Sequence, residues 1–86
     1  MAESILREKS YSFALLVIQG YKIVVKEEKE FVISKQILRS GTAIGALIRE
    51  AEFAESKKDF VHKMKVAQKE LGETYICLRI IKQHPL

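Results

Sequence analysis

A single proline, at position 85, is all that could break a helix, and no Asn-Gly or Asp-Gly pair marks a tight hairpin anywhere in the chain. Apolar residues instead recur three and four apart almost from end to end, the period of an α-helix. The chain therefore reads as all-α. At 86 residues it is one domain, residues 1–86, with a small core. A lone cysteine, Cys77, excludes an internal disulfide, and no Cys/His cluster has the spacing of a structural zinc site. Stability must then come from good helix packing or from association with other chains.

Three helices are predicted, over about 3–26, 35–54 and 57–82. In the first, Phe13, Val17, Gly20 and Val24 form one apolar stripe, and Tyr11, Ala14, Ile18, Tyr21 and Val25 form a second beside it. Only a narrow side, Glu8, Ser12, Gln19, Lys22 and Lys26, is polar, and Leu15 interrupts it. A helix this broadly apolar buries against more than one neighbour. The charged stretch Lys26 to Glu30 reads as a frayed end and loop, with Phe31 and Val32 tucked into the core and Ser34 capping the second helix. In that helix the core stripe is Ile37, Gly41, Ile44, Ile48 and Ala51. Each glycine in a helix interior costs on the order of 1 kcal/mol against alanine. Gly41 and Gly45, one turn apart, therefore mark a close approach, either between helices or between subunits. A phosphate loop is the weaker reading, because no Lys-Ser/Thr follows the glycines.

Ser56 and Asp59 resemble a capping box opening the third helix. Its inward stripe is read as Phe60, Met64, Ala67, Leu71, Thr74, Leu78 and Ile81, with Cys77 a small buried hydrophobe. Residues 75–81, Tyr-Ile-Cys-Leu-Arg-Ile-Ile, are apolar nearly all round and need a cover that the following residues do not supply. Three such helices amount to a helix bundle short of one member.

The net charge of +4 arises wholly after residue 55, since acids and bases balance before it. Lys58, His62, Lys65 and Lys69 fall in a narrow arc of the third helix, and Lys35, Arg39 and Arg49 share one side of the second. Such a one-sided basic segment is the footprint of a polyanion site, or else a solvated helix face. The longest apolar run, Phe13 to Ile18, is too short to cross a bilayer, no signal peptide is evident, and a free thiol suits a reducing compartment. The expectation is a cytoplasmic protein. Catalysis finds no support: His62 stands alone in mid-helix, His84 lies in the tail, and no paired carboxylates show the Glu-x-x-His pattern of a di-iron bundle. Neither metal nor cofactor is expected.

The segments "SKQILRSGTAIGALIREAEFAESKKDFVHKMKVAQKELGET", residues 34–74, resemble the small four-helix-bundle proteins encoded in intervening sequences of bacterial 23S ribosomal RNA genes. The accessory variability determinant of diversity-generating retroelements belongs to the same group. The resemblance spans essentially the whole chain. It departs at Leu47 and Arg49, where the family usually carries asparagine and alanine, and in ending at Leu86, where the family continues into a fourth helix.

The resemblance implies an antiparallel up-and-down bundle, here three helices of the usual four, that assembles as a homo-oligomer, typically a pentamer. It also implies a non-enzymatic role, with RNA or DNA bound by a basic surface in the retroelement relatives. The alternative, a scaffold whose ring or open groove receives a helix from a partner such as a reverse transcriptase, is read from Leu47 and the apolar face of residues 75–81. The groove left between the first and third helices is expected to be closed by another subunit, so that the chain is not monomeric, unless it is part of a longer product.

Overall fold

The computed structural model describes residues 2–83, and side chains from residue 5 onward. Three helices account for nearly all of it: α1 over Ala2–Glu28, α2 over Val32–Glu52 and α3 over Lys57–Gln83. No strand occurs among the described residues. His84 and the rest of the tail lie outside them.

The central element is α2. Both α1 and α3 pack against it, and neither makes a close backbone contact with the other. The described residues form a slab of 45 × 19 × 15 Å. Along α2, Gly41 meets Val17, Gly45 meets Ser10 and Glu52 meets Arg7. On the other side Arg39 meets Glu70, Ser40 meets Thr74 and Glu50 meets Lys63. Partner numbers thus fall along α1 and α3 as they rise along α2. The predicted stripe of α2 is buried throughout: Ile37, Gly41, Ile44, Ile48 and Ala51. Ile44, Ile48 and Ala67 make the centre of the core, with Phe13, Leu47 and Met64 packed around them. Leu47 is half-buried against this core.

The first turn of α2 differs from the expectation. The helix starts at Val32, so Ser34 lies inside it and is not its cap. The capping group is Glu30, just outside the helix. Its carboxylate accepts from the amides of Val32 (3.0 Å), Ile33 (2.8 Å) and Ser34 (2.7 Å), and from the Ser34 hydroxyl (2.7 Å). An anion at the positive end of a helix, meeting otherwise unpaired N–H groups, is doubly favoured. These hydrogen bonds, that from Ile33 first, hold the Glu30 carboxyl below the usual glutamate range. Reaching them places Lys29 at φ 58°, in the left-handed region. Phe31 and Val32, expected in the core, are exposed.

The inward stripe of α3 is also narrower than expected. Ala67 and Thr74 are buried as read, and Met64 and Ile81 are half-buried, but Leu71 is 52% exposed and Phe60 and Leu78 are also exposed. Glu70 is buried in their place. The seam runs through positions 67, 70 and 74, where the buried Ser40 of α2 meets Thr74 and the exposed Arg39 reaches over to Glu70. Cys77 is half-buried.

Between α1 and α3, above Ile37, runs an apolar groove of about 260 Å³ walled by Leu16, Gly20, Val24, Leu78 and Ile81. None of the described helices is long and apolar enough to cross a membrane.

Candidate nucleic-acid interface

The start of α3 is organised by two side chains. Ser56 Oγ accepts from the Asp59 amide at 3.0 Å, and Asp59 Oδ2 accepts from the Glu55 amide at 3.3 Å. The box therefore closes on Glu55 and not on Ser56 itself. Asp59 also adds negative charge to the first turn, where the helix dipole favours it.

From this start, Lys58, His62, Lys65 and Lys69 follow at intervals of four, three and four residues. They line one stripe about 16 Å long at the ordinary helical rise. All four are exposed, and none has an ion-pair partner among the described residues. The stripe lies on the opposite side of α3 from Ala67 and Thr74, which are buried against α2. Its cations therefore face solvent. Beyond Lys69 the same stripe continues through Gly72, Ile76 and Ile80, so its charge stops halfway along the helix.

The α2 residues are placed differently. Lys35 is exposed at the start of the helix. Arg39 is committed: Nη1 lies 3.0 Å from Glu70 Oε2, Nη2 lies 2.7 Å from Glu73 Oε2, and Nε donates to Gln36 Oε1 at 3.3 Å. The hydrogen bonds to Glu70 and then Glu73 hold its guanidinium protonated more firmly than usual. Arg49 stacks over the Phe53 ring at 5.1 Å. The helical period thus puts the four α3 residues on one stripe, whereas on α2 Arg39 is engaged by Glu70 and Glu73 and Arg49 by Phe53. Lys63 is likewise engaged, 2.9 Å from Glu50, which raises its pKa.

Two polar features at this seam have little signature in the sequence. Ser40 Oγ and Thr74 Oγ1 lie 2.7 Å apart, each only 1% exposed. Thr74 donates to the Glu70 carbonyl at 2.9 Å, so the shared proton comes from Ser40. Glu70 is the second: a glutamate between Lys69 and Leu71 in sequence, buried beside an arginine from another helix.

The comparisons with known proteins agree with this architecture. A solved structure of an S23 ribosomal protein family member of unknown function, from Bacteroides thetaiotaomicron, superposes with a TM-score of 0.96 at 48% identity. The match covers 99% of this chain and 76% of that one. No curated protein matches. The profile of the 23S rRNA-intervening sequence proteins matches residues 2–85. With nearly every residue inside that match, the chain belongs to the 23S rRNA-intervening sequence protein family.

Proposed function

We propose that this chain is a non-enzymatic protein that binds the backbone of RNA or DNA through the basic stripe of α3, as a homo-oligomer of antiparallel helical bundles. The observation that carries the reading is the contrast among its cations. Arg39 and Lys63 are neutralised by carboxylates, whereas Lys58, Lys65 and Lys69 stand unpaired on one exposed stripe. Uncompensated lysines in a row favour phosphate oxygens, and their straight spacing suits a repeating charge more than a base edge. Association repeats the stripe and multiplies a modest affinity. The exposed walls of the groove between α1 and α3 support that association, because monomers rarely leave a large contiguous apolar patch in water.

The test is fluorescence anisotropy with labelled RNA and DNA over a salt series. For three lysine contacts, the logarithm of affinity falls against log salt with a slope of about −2.7. Lys65→Glu with Lys69→Glu reduces that slope by about 2 and weakens all sequences alike. Undetectable binding at low ionic strength overturns the proposal.

The same groove supports a second reading, a scaffold that receives a helix from a partner protein such as a reverse transcriptase. Retention of such a partner through high salt and nuclease treatment favours this reading over the first.

A further inference from the structure

The turn between α1 and α2 is built from the wrong residues for a turn. Residues 26–31 read Lys-Glu-Glu-Lys-Glu-Phe, with no glycine, proline or asparagine. Lysine and glutamate are good helix formers. Lys29 nevertheless adopts φ 58°, a conformation unfavourable for an L-residue whose side chain cannot hydrogen-bond locally. Local preference and tertiary structure conflict here, and such conflicts mark strained or switching segments.

One side chain holds the conflict in place. Glu30, 7% exposed, gathers three amides and the Ser34 hydroxyl at the start of α2. Without it the amides of Val32, Ile33 and Ser34 lose their acceptor. They would find replacements four residues back if the helix simply continued through the turn. The seam this turn closes is also the lighter one. No apolar side chain of α1 is fully buried among the described residues. Its contacts include Phe13 against the Ile44–Ile48 core, Val17 over Gly41, Ser10 beside Gly45 and the Arg7–Glu52 pair at 3.1 Å. All of these can be made equally well by the α1 of another copy.

We infer that residues 29–31 are a latch with two states. In the closed state Glu30 holds α1 folded back on its own α2. In the open state Lys29 turns right-handed and residues 2–52 become one continuous helix about 76 Å long. The α1 half of that helix packs on the α2 of a second copy, which returns its own α1 in exchange. This lies beyond the proposed function, and its test contains no nucleic acid.

The experiment is a spin-label distance measurement between Lys9→Cys and Ala46→Cys in a Cys77→Ala background, diluted into excess unlabelled protein so that only distances within one chain are read. The closed state places the labels on adjacent helices, whose axes lie about 10 Å apart. The open state separates them by about 55 Å. Concentrated wild-type protein is expected to show both distances. Glu30→Ala raises the long-distance fraction about tenfold. Lys29→Gly, unstrained in the closed turn and unfavourable in a continuous helix, lowers it about tenfold.

The inference is overturned if wild type shows the short distance alone. It is also overturned if Glu30→Ala keeps its helix content by circular dichroism and stays short. Should Glu30→Ala lose its helices, Lys29→Gly decides: a long-distance fraction equal to that of wild type overturns the latch.

Discussion

The two seams of α2 are made of different materials. Toward α3, the helices are joined by a buried hydroxyl pair, an arginine forked between two carboxylates and a lysine–glutamate contact. Toward α1, they are joined by proximity: Gly41 and Gly45 let the Val17 side chain and the Ser10 backbone come close, with one ion pair at the end. Directional bonds hold one register and penalise every other, because a shifted register strands buried polar groups. Close packing over glycine holds position through shape alone. The α2–α3 pair is therefore the specified part of the molecule, and α1 is the part that can be exchanged.

The strongest way to break this contrast is Gly41→Val. Even a Cβ at Gly41 would lie 2.9 Å from the Val17 side chain, a contact that β-branched valine cannot relieve by bending away. A loss of about 3 kcal/mol is expected in urea unfolding. Hydrogen exchange should show α1 losing protection while α3 keeps it; equal loss in both helices would erase the distinction. Next comes Thr74→Val, which leaves the buried Ser40 hydroxyl without its partner and should cost about 2 kcal/mol. Adding Ser40→Ala should restore most of that loss, which a seam held by shape alone would not do.

Gly72→Ala sharpens the comparison from the opposite side. Nothing lies within 4 Å of a Cβ placed there, so α3 should gain about 1 kcal/mol in the same measurement. The smallest expected effect is on pH. The folded Glu30 carboxyl has a lowered pKa, so the unfolded chain binds its proton first. The stabilisation is fully present above the ordinary glutamate value and disappears as pH falls through the lower folded value. A melting-temperature series at acid pH should show wild type losing this increment while Glu30→Gln, lower at neutral pH, converges with it. Parallel curves would remove Glu30 from the turn's stability.

Much of the fold was readable from the residues. The three helices and the α2 stripe follow from a repeat that every turn of helix enforces on its own side chains. The α3 basic stripe was readable for the same reason, since four positions at helical spacing share a face wherever the helix lies. The α3 inner face was read too broadly. Leu71 and Glu70 are adjacent in sequence, and periodicity with apolarity favours the leucine; Arg39, 31 positions away, is what draws the glutamate inside. Lys35, Arg39 and Arg49 also look equivalent along the chain, yet only their surroundings separate a cation clamped by two carboxylates from one stacked on Phe53 and one left in water.

Sequence by itself determined the helices, the buried α2 face and the row of α3 lysines, because each depends on neighbours three or four residues apart. Tertiary structure alone decided which charges cancel, which glycine is needed and how the first turn ends. Those outcomes are settled by atoms that meet only after the chain has folded, and at Lys29 they override what the local residues prefer.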